Sequence, residues 1–106
     1  SALITGVIVA RRAVVEENPA AVNEFLKEYA ASVDWVNANT ADAAALIGEY
    51  SIVDAAVAEK ALPYCNIVCL TGADLLEALP GYLEVLYNAD PAAVGGEMPD
   101  NSFYFA

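Results

Sequence analysis

Two cysteines, Cys65 and Cys69, come nearest to a reactive or metal-binding pair in this sequence. The chain contains no histidine, so a zinc site would need carboxylates to complete its four ligands. If the segment between the cysteines is extended, the thiols lie about 13 Å apart, which is too far for a disulfide. We therefore expect two buried free thiols rather than a metal centre or a disulfide.

Paired carboxylates offer a second route to chemistry, because one can act as an acid and the other as a base. Glu16 and Glu17 are adjacent, but consecutive acids at a predicted helix end usually face solvent. The lack of histidine excludes a histidine-dependent triad. Serine–lysine and cysteine variants stay open, although these residues lie in no recognisable motif. Gly95 and Gly96 lack the lysine of a phosphate loop and are typical of a helix end. We expect no catalysis, no cofactor and no metal.

Composition restricts the partners of the chain. Hydrophobic residues make up 58% of its 106 residues, above the ~45–50% typical of soluble domains, so part of the apolar surface should lie in an interface. Fifteen acidic and four basic residues give a net charge of −11, which disfavours nucleic acid and anionic lipid as partners. No apolar run reaches the ~18–20 residues of a membrane span, and no signal peptide is evident. We expect one small soluble domain over residues 1–106, with no second domain.

The pattern predicts one convincing strand, over residues 3–10 (LITGVIVA). Its β-branched residues suit a pleated backbone, and its two alternating faces are both apolar, as in a strand covered on two sides. Residues 66–70 (NIVCL) are either a brief second strand or an extended connector. Almost everything else is typical of helix, so the chain offers this strand no convincing partner.

Recurrent capping signals divide the remaining sequence into helices. A short helical turn is predicted over residues 11–17, followed by an amphipathic helix of about twenty residues that begins at Pro19 and is capped by Asn18. Further helix starts are predicted at Asn39, Ser51, Thr71 and Asp90. Gly48 should weaken its helix by about 1 kcal/mol relative to alanine. Pro80 should kink the helix after Thr71 or break it in two.

An ordered set of residues along the whole chain resembles the carboxy-terminal part of substrate-binding proteins of ABC importers, of the nitrate, sulfonate, taurine and thiamine-pyrimidine binding type. The residues that carry the resemblance are 6–12, 17–22, Phe25, Leu26, Tyr29, Ser32, Val33, Asn37, 58–63, 65–67, 81–86 and 94–100, followed by Phe103 and Tyr104. Three features depart from that pattern: Ala2 at the start, Pro80 within a helix, and Phe105 where a tyrosine often closes the tail.

The resemblance implies an α/β fragment, mostly α-helical, from one lobe of a type II periplasmic-binding-protein fold. Residues 3–10 would be a return strand, and the helices would cover a sheet whose other strands belong to a missing N-terminal part of the same protein. The implied function is extracytoplasmic capture of a small-molecule solute for an ABC permease in the membrane, without catalysis. The complete protein would lie in the periplasm or be lipid-anchored at the cell surface.

Ligand-binding clefts of such lobes lie at strand ends and helix starts. The resemblance therefore makes Thr5, Gly6, Cys65 and Asn66 candidate ligand-binding residues, against an alternative of close packing and turn formation. No single solute is favoured within the subgroup.

Two other functions stay open. Fungal thiamine-pyrimidine synthases share the fold, but they use histidine and a cysteine-rich iron motif, neither of which this sequence contains. The other is a stand-alone acidic helical interaction domain. Because residues 3–10 lack a partner and the apolar content is high, we also expect the chain to self-associate, for example as a dimer.

Overall fold

A computed structural model describes residues 3–105, of which 69% are helical. The helices are α1 (Arg12–Glu17), α2 (Pro19–Ala38), α3 (Thr40–Glu49), α4 (Ala55–Ala61) and α5 (Gly72–Ala89), with short 3₁₀ helices at Leu62–Tyr64, Pro91–Val94 and Asn101–Phe103. The prediction of a mostly helical chain is confirmed. Across residues 3–105 there is no strand and no sheet.

The predicted return strand over residues 3–10 is wrong. Residues 3–11 have no regular secondary structure, and no backbone–backbone hydrogen bond joins residues 3–10 to any other part of the described chain. Residues 66–70 form an irregular connector rather than a second strand. Strand propensity acts through packing and pairing with a neighbouring strand. Residues 3–105 supply no such neighbour, so the β-branched residues alone do not produce a strand.

The described residues fall into two compact units. One unit contains residues 3–9 together with residues 70–105, and α5 is its longest element. The other unit is Ala10–Cys69 and contains α1 to α4. None of the helices within residues 3–105 combines the length and the apolar character that crossing a membrane requires.

Helix α2 begins and runs as predicted, because Pro19 occupies its first turn, where its missing N–H leaves no bond unmade. The predicted capping roles of Asn18 and Asn39 are wrong, since neither side chain accepts a bond from the helix that follows it. Both have φ near −130° and ψ near 55°, outside the β region of an N-cap. The Asn39 side chain instead donates to the Trp35 carbonyl oxygen at 3.1 Å and closes the end of α2.

The turn between α3 and α4 contains one motif that ends α3 and one side-chain cap that starts α4. Ser51 has a φ of +57°, its N–H donates to the Gly48 carbonyl oxygen, and the Ile52 N–H donates to the Ile47 carbonyl oxygen. This is a Schellman motif, which ends α3. The Asp54 side chain then accepts the Ala56 N–H at 3.0 Å and starts α4. Ser51 therefore ends one helix, and the prediction that it starts the next is wrong.

The unit Ala10–Cys69 has a small core made mainly of short side chains. Val33 from α2, Ala43 and Ala44 from α3 and Ala58 from α4 are its buried residues. Alanine surfaces let α3 and α4 pack closely, as the alanine-rich sequence indicated. Phe25 and Tyr29 on α2 stay partly exposed and stack with ring centroids 6.0 Å apart.

Helix α5 is a single helix that passes through Pro80, so the break, one of the two predicted outcomes, does not occur, while the kink stays a prediction. Proline at this position removes one helical hydrogen bond and crowds the carbonyl four residues before it. Leu79 next to it is buried, and Pro80 itself is half-buried. Burial of this apolar face stabilises the helix across the proline. Thr71 was expected to cap α5, but its side chain forms no capping bond.

Candidate functional site

An open apolar groove lies in the unit that contains α5. Its volume is about 190 Å³. The start of the chain, the middle of α5 and the tail all contribute to it, and the lining residues are Ile4, Thr5, Gly6, Val7, Leu79, Tyr82, Leu83 and Phe103. The groove is therefore built from segments that are far apart in sequence.

Helical spacing explains the part that α5 contributes. Leu79, Tyr82 and Leu83 are three and four residues apart, so they share one face of the helix. Leu79 is buried, while Tyr82 and Leu83 are half-buried. Leu79 and Leu83 lie in the helix that the sequence predicted after Thr71. Tyr82 was missed as a groove residue, and its position three residues after Leu79 is the signal that could have found it.

Two of the four candidate ligand residues, Thr5 and Gly6, are brought together in this groove. A Cβ added to Gly6 would meet no heavy atom within 4 Å, and Gly6 does not have a positive φ. Close packing and turn formation, the alternatives for Gly6, therefore do not explain the glycine. Its backbone is open to the groove.

The groove offers apolar and aromatic surface with two hydroxyl groups. Thr5 and Tyr82 are the lining residues with a side-chain hydroxyl, and no lining residue carries a charge. Such a surface suits the apolar or planar part of a small molecule, with hydrogen bonds from the hydroxyls fixing its orientation. It does not by itself supply a cation for a sulfonate or a nitrate.

The other two candidates, Cys65 and Asn66, lie in the unit Ala10–Cys69, directly after the 3₁₀ helix Leu62–Tyr64. The Cys65 N–H donates to the Leu62 carbonyl oxygen at 3.2 Å. Asn66 has a φ of +52°, a left-handed conformation that asparagine tolerates better than most residues. Its side chain donates to the Tyr64 carbonyl oxygen at 3.4 Å. Turn formation thus accounts for Asn66.

The cysteines are both free thiols, but the prediction that they are buried is wrong for Cys65, which is exposed. Cys69 is half-buried. Cys65 directly follows the 3₁₀ helix Leu62–Tyr64. The Asn37 side chain of α2 donates a hydrogen bond to the Ile67 carbonyl oxygen at 3.0 Å, which ties the connector between the cysteines to α2. No cluster of three or more metal-binding side chains is found within residues 3–105.

Phe103 and Tyr104, near the carboxy terminus, contribute a groove-lining ring and a buried hydroxyl group. Phe103 lines the groove and packs edge-on against Tyr104, with ring centroids 5.3 Å apart. The Tyr104 hydroxyl is buried and has no hydrogen-bond partner among the described residues. Burial raises the pKa of the Tyr104 phenol above its usual value. Phe103 remains 60% exposed although it lines the groove.

Comparison with protein-family models, with curated proteins and with solved structures gives no match to this chain.

Proposed function

We propose that this chain is the carboxy-terminal part of a solute-binding protein that delivers a small molecule to an ABC importer, without catalysis. The proposal rests on the ordered set of residues that resembles this class. The groove lined by Thr5, Gly6, Tyr82 and Phe103 supports it most directly. Two residues chosen from the resemblance meet there on a surface of the right chemistry for an organic solute.

The groove would be one wall of the complete site. It is open and has a volume of about 190 Å³, whereas sites for small organic ligands enclose ~300–1,000 Å³. A second wall, with the charged or polar groups that select the solute, would come from the N-terminal part of the same protein. Closure of the two walls would hold the solute by a hinge motion.

Residues 3–10 fit this proposal through their backbone. Within the described range their N–H and C=O groups have no backbone partners, and residues 7 to 9 are exposed valine and isoleucine side chains. In the complete protein these groups would be paired and covered by the remainder of the lobe. That protein would act outside the cytoplasm, in the periplasm or anchored to the cell surface, and would meet its permease at the membrane.

The decisive experiment uses the complete polypeptide encoded by the gene. We expect calorimetry to detect binding of a thiamine-pyrimidine precursor, taurine or an alkanesulfonate, and we expect Thr5→Val to weaken it. Thr71→Val is the matched control, because Thr71 is also exposed but neither lines the groove nor caps α5. Equal effects of the two substitutions would argue against the groove.

The 106-residue chain supplies a second test. It should show no thermal shift with the same compounds, because most of the site is missing. Tight binding by this chain alone would contradict the proposal that it holds only one wall. A complete polypeptide that lacks both a signal peptide and a lipid-attachment sequence would contradict the extracytoplasmic location.

The alternative is a stand-alone acidic helical interaction domain. The observation that favours it is the exposed, stacked pair Phe25 and Tyr29 on α2, since exposed aromatic side chains often mark protein interfaces. The two functions differ in the effect of Thr5→Val, which should not alter an interface on α2. The enzyme alternative, a relative of thiamine-pyrimidine synthases, has no specific support among the described residues.

A further inference from the structure

Residues 3–10 present an unpaired, uncharged stretch of backbone, of which residues 3–9 belong to the unit that contains α5. Leu3 is 78% exposed and Val9 is 80% exposed. Inside the described range no backbone hydrogen bond satisfies the N–H and C=O groups of these eight residues. A row of unpaired backbone groups beside apolar side chains is a template for pairing with another chain.

The chain exposes more surface than compact bodies of its mass do. The accessible surface of the chain is 7781 Å² for a mass of 11.1 kDa. Two separate compact bodies of about half that mass each would together expose only about 6,800 Å². The excess, about 1,000 Å², is comparable with the ~800 Å² that each partner buries in a standard protein interface.

Charge favours this stretch as the place where two copies meet. All fifteen carboxylates lie beyond residue 12, and residues 3–10 carry no charge. Arg11 and Arg12, two of the four cations, follow directly. Elsewhere two copies of a chain with a net charge of −11 repel each other. At this stretch they meet an uncharged surface that ends in two positive charges.

We propose that two copies of this chain form a dimer by antiparallel backbone pairing of residues 3–10. In the register centred on Val7, residues 4–10 pair, Val7 of one copy lies opposite Val7 of the other, and a two-fold axis passes between the two valines. This arrangement closes after two copies and leaves no open edge that recruits a third through the same contact. It also places Arg11 of one copy and Arg11 of the other at opposite ends of the ribbon, about 27 Å apart.

The dimer does not depend on the solute-binding function. In a complete binding protein the backbone of residues 3–10 would be paired within the lobe. The dimer is therefore a property of the 106-residue chain. The two proposals are tested separately. Calorimetry on the complete polypeptide tests solute binding whether or not the 106-residue chain dimerises, and the mass of the 106-residue chain in solution tests the dimer whether or not the complete polypeptide binds a solute.

The test is sedimentation equilibrium of the full 106-residue chain over a wide concentration range. We expect a reversible equilibrium between the 11.1 kDa monomer and a species of twice that mass. Amide I infrared spectra should show an antiparallel strand band that grows with the dimer and fades on dilution. A monomer at every concentration, or assembly that continues past two copies, would overturn the proposal.

Two valines with nearly the same exposure give a matched pair of variants. Val7 is 59% exposed and Val57, on α4, is 57% exposed. We expect Val7→Asp to weaken the dimer at least about tenfold, because it brings two carboxylates together near the two-fold axis. Val57→Asp should leave the dissociation constant unchanged. Equal weakening by both substitutions, or by Val57→Asp alone, would show that another surface forms the dimer.

Because Val7 also lines the groove, a second variant separates pairing from folding. Val9 is not among the groove residues, and Val9→Pro restricts the backbone without adding charge. We expect this variant to keep the helical circular dichroism of the monomer and to lose the dimer. A variant that keeps both the helical signal and the original dissociation constant would contradict pairing through residues 3–10.

Discussion

Gly48 on α3 and Ala55 on α4 approach so closely that a Cβ at position 48 would lie 2.8 Å from the Ala55 Cβ. Real Cβ atoms do not come this near to one another. The contact brings the end of α3 against the start of α4, next to the turn that contains Ser51 and Asp54. The glycine is therefore a packing requirement rather than the weak point in a helix that the sequence suggested.

Gly48→Ala should destabilise the unit Ala10–Cys69, although alanine is the better helix former. Overpacking costs about 1–3 kcal/mol, which exceeds the gain of about 1 kcal/mol from helix propensity. The free energy of unfolding from urea titration measures the difference. Adding Ala55→Gly removes the clashing methyl group but leaves the backbone N and Cα of position 55 at 3.1 Å and 3.3 Å from the new Cβ, so the double variant should recover only part of the loss. A stabilising Gly48→Ala would show that α3 and α4 are not packed this closely.

Helix positions in this chain could be predicted from sequence where the signal is local. Asn18-Pro19 gives the start of α2 because proline fixes its own backbone and needs no hydrogen bond at that position. Asp90-Pro91 likewise marks the last helical turn, where the Asp90 side chain accepts the Ala92 N–H at 3.1 Å. These features depend only on neighbouring residues.

Features that depend on distant residues could not be predicted in the same way. The strand over residues 3–10 needed a partner strand, which no local pattern supplies. Continuity of α5 through Pro80 depends on burial of the face around Leu79. Thr5 and Gly6 are candidate site residues from the resemblance, whereas Tyr82 and Phe103 line the same groove only because α5 and the residues near the carboxy terminus meet there.

Ser51→Gly should stabilise the chain, because Ser51 adopts the left-handed φ of +57° that ends α3. Glycine takes this conformation without a Cβ penalty, and the expected gain is about 0.5–1 kcal/mol. Ser32→Gly is the matched control, since Ser32 is exposed in the middle of α2. There the same change should cost about 0.5 kcal/mol through helix propensity. Thermal melts test this, because Ser51→Gly should raise the melting temperature and Ser32→Gly should lower it.

Asp54→Ala should cost about 1 kcal/mol, because the Asp54 carboxylate accepts the Ala56 N–H at the start of α4. Asn18→Ala is the informative comparison. Its side chain was expected to cap α2 but makes no such bond, so its replacement should cost less than about 0.5 kcal/mol. Chemical denaturation of both variants measures the difference. A larger loss for Asn18→Ala than for Asp54→Ala would reverse the assignment of the caps.

Tyr104→Phe should stabilise the chain, because the Tyr104 hydroxyl is buried without a hydrogen-bond partner among the described residues. Burial of an unpaired hydroxyl costs about 1–3 kcal/mol, and the substitution removes that cost.

Burial also raises the pKa of the Tyr104 phenol above 10.0. The unfolded chain therefore loses this proton at lower pH than the folded chain. The free energy of unfolding is unaffected by this ionisation below pH 10.0, and it falls as the pH rises through the pKa of the folded chain. Tyr64→Phe is the control, because Tyr64 is 84% exposed and its removal should leave this alkaline loss intact. If urea titrations across the alkaline range show the same loss for both variants, Tyr104 is not its source, and if Tyr104→Phe is no more stable than the parent chain at neutral pH, the hydroxyl is not an unpaired buried group.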